Sequence, residues 1–178
     1  GIRGSLLSED AEVRARAAGD IESLLECCAR LGGAGLNVVP EFGEQKFMRL
    51  YPDHSDFERR APVFLERLAP LAARAEKLGV EILLEPLNRY EAFFLITVGQ
   101  AAELCRRSGS PKVRILADLF HMGIEEDNLL GALEANAEFI THVHLVDTNR
   151  KLPVLGDRDF KPVFETMSRA GFKGYYCL

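Results

Sequence analysis

The stretch that decides the fold is Val80-Glu-Ile-Leu-Leu-Glu-Pro-Leu-Asn-Arg-Tyr-Glu91, in which an apolar run gives way to a polar cluster. Gly79 precedes the run and is a typical residue for the end of a helix, so residues 80–84 are predicted to form a short buried strand. The polar cluster that follows would not be tolerated inside a strand but is common just beyond its end. Ligands of α/β proteins bind at the carboxyl ends of parallel strands, so this stretch predicts a binding site there.

The same change from apolar strand to polar cluster occurs twice more along the chain. A strand predicted over residues 113–117 leads to Asp118-Leu-Phe-His121, and one over residues 140–146 overlaps His142-Val-His144-Leu-Val-Asp-Thr-Asn-Arg150. Because parallel strands end at the same edge of a sheet, Glu85, Asp118 and His144 are predicted to converge. Two carboxylates and one imidazole suit Mn²⁺, Co²⁺, Mg²⁺ or Zn²⁺ better than a metal that prefers thiolates. The alternative is that each residue caps a turn or forms a salt bridge.

Each of these three residues is followed in the next loop by a side chain that can hydrogen-bond a substrate. The intervals are six, three and six residues, and the side chains are Glu91, His121 and Arg150. Such groups beside a metal would suit a polyol or a sugar, whereas the alternative for each one is a solvated surface position. His142 alternates with His144 on its strand, and a structural role is favoured for it.

Strands and helices alternate along the whole chain, which is typical of a parallel sheet with crossover helices. Five short apolar runs predict strands at residues 36–39, 80–84, 113–117, 140–146 and 175–178. The capping box from Thr97 to Gln100 predicts a helix over residues 98–108, and Pro70 is expected to kink or interrupt an earlier helix. An open doubly wound sheet and a (β/α)8 barrel both fit, and five strands would make the barrel incomplete. Without a linker or a low-complexity segment, residues 1–178 are predicted to form a single domain.

The composition disfavours several classes of function. The 178 residues carry a formal net charge of −5, which gives no basic footprint for nucleic acid. No apolar run approaches the ~18 residues of a membrane span, and no signal-peptide pattern is present. The four cysteines have neither zinc-finger spacing nor a C-x-x-C motif, which favours free thiols in a reducing cytoplasm. The sequence therefore predicts a cytoplasmic protein without a nucleic-acid or membrane partner.

The three motifs together resemble the sugar phosphate isomerase/epimerase superfamily, the xylose isomerase-like TIM barrels. Within it they are most similar to the ketose 3-epimerases of the D-tagatose and D-psicose (allulose) type. The resemblance rests on the order and the internal spacing of the motifs, and it covers almost the whole chain. It implies a (β/α)8 TIM barrel of which this chain supplies about strands 4 to 8. A second catalytic glutamate, also a metal ligand, would then follow Leu178. The chain begins with Gly1 rather than Met, and this start is interpreted as trimmed.

The resemblance also implies a role for each site residue. Glu85 would be a metal ligand and a catalytic acid/base, and Asp118 and His144 would be metal ligands. The residues that would bind the carbonyl end and the hydroxyls of the sugar are Glu91, His121 and Arg150. Mn²⁺ is the expected cofactor, with Co²⁺ or Mg²⁺ as alternatives, and a homo-oligomer, either a dimer or a tetramer, is expected.

The reaction that these features predict is the divalent-metal-dependent epimerisation of a ketose at C3 through an enediolate. It needs one group to remove a carbon-bound proton, a second to return one to the other face, and a cation to stabilise the charge. A hydroxypyruvate isomerase-like or an inosose-processing sugar isomerase is the near alternative. More remote are an endonuclease IV-like DNA repair enzyme, which the acidity and the four histidines disfavour, and a non-catalytic sugar-binding domain. Selectivity for the sugar is expected in the loops after Pro40 and after Arg150.

Overall fold

Five parallel strands form a single sheet in a computed structural model that describes residues 1–41 and 56–178. Each strand pairs with the next one along the chain, in the order β1-β2-β3-β4-β5. The strands are β1 (Gly35–Val38), β2 (Glu81–Leu84), β3 (Val113–Asp118), β4 (Ile140–His144) and β5 (Tyr175–Cys177). The loop predicted after Pro40 lies almost entirely outside the described residues.

Helices precede β1 and connect each strand to the next. In the described part of the chain they are α1 (Ala11–Arg30), α2 (Phe57–Leu78), α3 (Val98–Ser108), α4 (Leu119–Glu125), α5 (Leu129–Asn136) and α6 (Lys161–Arg169). The capping box predicted for α3 is present, because Thr97 and Gln100 bond reciprocally to each other's backbone. Side chains alternate along β2, so Ile82 and Leu84 enter the core shared with the helices. Leu83 and the following Glu85 are thereby left on the opposite, inner face of the sheet.

The interruption predicted for α2 is wrong, because the helix continues past both Pro62 and Pro70. Both prolines lie on its exposed face, whereas Phe64 and Leu68 on the other face are buried in the core. A proline inside a helix costs about 3 kcal/mol, and burying one large apolar side chain contributes about 1.5–3 kcal/mol. The buried face therefore holds the helix together across both prolines.

The strand order decides between the two predicted architectures. In a doubly wound sheet the order reverses at a switch point, but here every strand lies beside its neighbour in sequence. Sequential parallel strands with intervening helices are the construction of a (β/α)8 barrel. The described residues therefore form a part of such a barrel, which confirms the predicted fold class.

One irregularity in the sheet sets the position of β4. Thr141 is an extra residue of β4 that has no partner in β3, which makes a β-bulge. The pairs on either side of it are Ile115 with Ile140 and Leu116 with His142. Beyond the bulge, His144 comes level with Asp118. β5 approaches the bulge so closely that a Cβ atom at Gly174 would overlap the backbone carbonyl of Thr141.

The remaining predictions concern the cysteines, membrane-spanning helices, the number of domains and the cellular location. All four cysteines are free thiols, as predicted. Every helix within residues 1–41 and 56–178 is too short or too polar to cross a lipid bilayer. The single domain over residues 1–178 and the cytoplasmic location stay predictions.

Candidate active site

Three polar side chains meet at the carboxyl ends of three neighbouring strands. Glu85 directly follows β2, Asp118 is the last residue of β3, and His144 is the last residue of β4. Glu85 and Asp118 are buried, with 7% and 6% of their surface exposed. Two carboxylates buried side by side are unfavourable unless hydrogen-bond donors or a cation offset their charge. The hydrogen-bond donors around each carboxylate therefore indicate which of its oxygens remains available to a cation.

One oxygen of each carboxylate accepts hydrogen bonds from nearby protein groups, and the other oxygen faces His144. Asn37 Nδ2 donates to Glu85 Oε2 at 2.7 Å. Backbone N–H groups in the first turn of α4 donate to Asp118 Oδ1 at 2.8 and 3.1 Å. The other two oxygens, Glu85 Oε1 and Asp118 Oδ2, lie 3.5 and 3.3 Å from His144 Nδ1. Two oxygens and one nitrogen thus face one another, and all three are atoms that bind divalent cations.

The charges of the two carboxylates are partly balanced by a positive charge at His144, which is the balance that a bound cation would also provide. Hydrogen bonds to Asp118 and to Glu85 raise the pKa of His144 to about 10. Burial alone would raise the pKa of Asp118, but the hydrogen bond with His144 and the backbone N–H of His121 outweigh it and lower that pKa. A proton held on His144 therefore neutralises part of the carboxylate charge. A divalent cation would neutralise the same charge in its place, so the residues present fit a divalent metal.

His121 lies beside the same carboxylates, on α4 rather than in the loop where it was predicted. The helix begins there because the side chain of Asp118 caps it. One ligand atom each of Glu85, Asp118 and His121 lie within 4.8 Å of one another. His121 Nδ1, however, faces the backbone N–H and the Nδ2 group of Asn88, at 3.1 and 2.8 Å. Two histidines therefore flank one pair of carboxylates, and their surroundings differ.

Glu91 and Arg150 form an ion pair at the rim of the site. Arg150 Nη1 and Nη2 donate to the two carboxylate oxygens of Glu91 at 2.6 and 3.3 Å, and the guanidinium carbon lies 5.0 Å from the centre of the Phe120 ring. Burial alone would raise the pKa of Glu91, but the hydrogen bonds from Arg150 and Asn88 outweigh it and lower that pKa. The site therefore offers an ionised acceptor and a fixed set of donors, which suit hydroxyl and carbonyl oxygens.

The loop that carries Arg150 is organised by Asp147, which has no exposed surface. Backbone N–H groups of Thr148, Gly156 and Arg158 donate to its carboxylate at 2.7, 3.0 and 3.0 Å. Burial alone would raise the pKa of Asp147, but these N–H groups outweigh it and lower that pKa. The backbone of Arg150 has a φ of 60°, a conformation that is unfavourable for a non-glycine residue. The anchored loop therefore holds Arg150 in a position that the chain would not adopt by itself.

The six predicted site residues form one connected group in the structure. They are Glu85, Glu91, Asp118, His121, His144 and Arg150. Their individual roles stay predictions. Sequence reasoning did not find Asn37, although a polar residue inside the apolar run of β1 was a usable signal. From their places in the motifs, Asn88 and Asp147 are predicted to orient ligands or shape the loops, but their partners are not visible in the local sequence.

The family follows from a comparison of the whole chain with family models. Residues 2–178 match the model described as xylose isomerase-like TIM barrel. The chain belongs to this family. The predicted resemblance to the xylose isomerase-like barrels is thereby confirmed.

Several proteins to which the chain is similar are sugar epimerases. The chain is 36% identical to the 3-dehydro-D-guloside 4-epimerase of Escherichia coli over 159 residues, which are 87% of this chain and 60% of that protein. It is 28% identical to the D-psicose 3-epimerase of Ruminiclostridium cellulolyticum over 175 residues, 96% of this chain and 57% of that protein. The crystal structure of an E. coli 3-keto-D-glucoside 4-epimerase superposes with a TM-score of 0.88 at 32% identity, over 99% of this chain and 67% of that one. The chain thus spans about three fifths of the length of these two curated relatives.

Proposed function

We propose that this chain carries the metal site and the sugar-binding groups of an isomerase that epimerises a keto sugar at the carbon beside its ketone. The observation that carries the proposal is the convergence of Glu85 Oε1, Asp118 Oδ2 and His144 Nδ1 at three successive strand ends. These residues would hold a divalent cation, with Mn²⁺ expected first and Co²⁺ or Mg²⁺ as alternatives. The names of the sugar epimerases that match the chain support the same reaction class.

The chemistry uses the residue types that are present. A hydrogen on the carbon beside a ketone is acidic because its removal leaves an enediolate, and a carboxylate such as Glu85 is a suitable base for it. When bound, a divalent cation would stabilise the negative charge of the enediolate. Glu91, His121 and Arg150 would hold the oxygens of the sugar so that one face of the reacting carbon stays toward the base. Inversion also needs a second acid/base group on the opposite face.

Two substrate classes fit this chemistry. The relatives' names give epimerisation of D-psicose at C3 and of a 3-dehydro-D-guloside at C4. In both reactions the inverted carbon neighbours the ketone, so the same base and the same charge stabilisation serve both. The free ketose is our first candidate. The 3-keto glycoside is the second, because the relative that acts on it is 36% identical to this chain.

Hydrogen exchange at the reacting carbon tests the proposal directly. The protein would be supplied with Mn²⁺ in D₂O, with D-fructose or D-tagatose in one arm and a 3-keto glycoside in the other. We expect deuterium to enter C3 of the ketose or C4 of the glycoside, as measured by ¹H NMR of the sugar. Exchange without inversion would show that the base works and that the second acid/base group is missing.

Two variants make that experiment specific. Glu85→Gln should abolish the exchange, because an amide neither takes the proton nor neutralises a cation. Glu134→Gln removes an exposed carboxylate of α5 and should leave the exchange rate unchanged. If neither sugar exchanges in the presence of Mn²⁺, Co²⁺ or Mg²⁺, the epimerase proposal is wrong.

A further inference from the structure

Asn88 is a buried side chain that touches two of the groups proposed to bind the sugar. Only 2% of its surface is exposed. Its Nδ2 group lies 2.8 Å from His121 Nδ1 and 3.1 Å from Glu91 Oε1. Its Oδ1 accepts the backbone N–H of Tyr90 at 3.0 Å. Every polar atom of the side chain therefore has a partner within the loop that follows β2 or on α4.

These contacts fix which end of the amide is nitrogen. The group that faces Tyr90 N–H must be an acceptor, so it is the oxygen of Asn88. The other end must then be the NH₂ group, which is also the end that an ionised Glu91 requires, since a carboxylate only accepts. Exchanging the two ends would place two donors against each other and two acceptors against each other. The NH₂ group of Asn88 thus points at His121.

Asn88 in turn sets the protonation of the His121 ring through its side-chain amide and its backbone N–H together. Nδ1 of His121 faces two N–H donors, the Nδ2 group of Asn88 and the backbone N–H of the same residue at 3.1 Å. A ring nitrogen that accepts hydrogen bonds carries no proton, and a neutral imidazole then carries its proton on Nε2. His121 Nε2–H is therefore a hydrogen-bond donor and has no lone pair for a metal.

We propose that Asn88 is a positioning residue that holds His121 as its Nε2–H tautomer. His121 then donates a hydrogen bond to an oxygen of the sugar and does not ligate the cation, a statement that rests on the proposed function. The nitrogen ligand is instead His144, whose Nδ1 faces Asp118 Oδ2 at 3.3 Å and Glu85 Oε1 at 3.5 Å. Asn88 also donates a hydrogen bond to Glu91. It therefore fixes the His121 ring and the Glu91–Arg150 ion pair relative to each other.

The tautomer is measured in the metal-free protein by long-range ¹H–¹⁵N correlation spectroscopy of the four histidine rings. His121→Gln identifies the signals of His121 by their disappearance. The spectrum would be recorded at pH 8, above the ordinary imidazole pKa of about 6.5. We expect a proton on Nε2 of His121 and none on Nδ1. A proton on Nδ1, in a neutral or a doubly protonated ring, would overturn the proposal.

Two substitutions separate the side chain of Asn88 from its backbone. Asn88→Asp replaces the NH₂ donor with an acceptor and should move proton density onto Nδ1 of His121. Asn88→Ala keeps the backbone N–H and should leave the ring as Nε2–H. Asn136→Ala is the matched control, because within residues 1–41 and 56–178 that amide donates to Ala132 O of its own helix, and its spectrum should equal the wild type. If Asn88→Asp folds and its His121 keeps Nε2–H, the side chain does not set the tautomer.

Titration with Zn²⁺, a diamagnetic probe, tests which histidine is the ligand. The ring signals of His144 should shift on saturation, whereas the Nε2 proton of His121 should persist. Loss of that proton on zinc binding would make His121 the ligand and overturn the assignment. If neither histidine responds to zinc, the proposed metal site is wrong while the tautomer result stands, so the two failures can be told apart.

Discussion

Replacing Asn37 with alanine tests how the carboxylate of Glu85 is directed toward the site. Asn37 Nδ2 donates to Glu85 Oε2 at 2.7 Å, which leaves Oε1 as the oxygen that faces His144. In Asn37→Ala the carboxylate loses this restraint and can rotate. We expect weaker binding of Mn²⁺ and a modestly lower thermal midpoint, because the buried carboxylate of Glu85 loses a hydrogen-bond donor.

The size of the effect follows from the geometry of that bond. A hydrogen bond to a charged group contributes about 1.5–3 kcal/mol. Water can replace an exposed donor, so the lower end of that range applies to Asn37. Each 1.4 kcal/mol changes a dissociation constant about tenfold, and residues that orient metal ligands commonly contribute about 10–100-fold in affinity. The dissociation constant for Mn²⁺ should therefore rise about tenfold.

Isothermal titration calorimetry with Mn²⁺ measures the change. Glu85→Gln should abolish the binding, and Asn136→Ala should bind Mn²⁺ as the wild type does, since it removes an asparagine side chain from α5, away from the site. A folded Asn37→Ala protein whose dissociation constant for Mn²⁺ stays within about twofold of the wild type would show that Asn37 does not orient Glu85. The assignment of Oε2 to Asn37 and of Oε1 to the metal would then be wrong.

The other predictions concern stability and thiol reactivity. Gly174→Ala should lower the free energy of unfolding by about 1–3 kcal/mol in urea titrations, because the new methyl group overlaps the carbonyl of Thr141. Gly19→Ala, in an open position of α1, should instead raise it by about 0.5–1 kcal/mol, and a loss there would contradict the reasoning. Burial raises the pKa of Cys105 to about 12, so a thiol reagent at pH 8 should label the exposed Cys27 in the native protein and Cys105 only after unfolding. Native labelling of Cys105 would show that its core opens.

The strand-end residues could be predicted because two simple rules locate them. Apolar runs mark buried strands, and parallel strands bring their ends to one edge of the sheet. Glu85, Asp118 and His144 follow from these rules alone, without any knowledge of the distances between them. The same rules gave all five strands, since each is a short apolar segment with a clear polar boundary.

The contacts that orient these residues could not be predicted, because they join distant parts of the chain. Asn37 lies 48 residues before Glu85, and Asn88 lies 33 residues before His121. The start of α4 could not be predicted for a different reason: the sequence suggests at most a turn cap at Asp118, whereas one of its oxygens caps a helix. Local patterns indicate which groups are present, whereas tertiary packing decides which atom of each group remains available.

The bulge at Thr141 gives β4 one residue more than its pairing with β3 requires. Ile140 pairs with Ile115 and His142 pairs with Leu116, so the bulge takes up Thr141 and His144 stays level with Asp118. Deleting Thr141 would therefore remove the bulge and keep the imidazole on the same face of the sheet. Related chains that lack this residue should keep the imidazole ligand, whereas loss of two residues between Ile140 and His144 would turn the imidazole toward the helices.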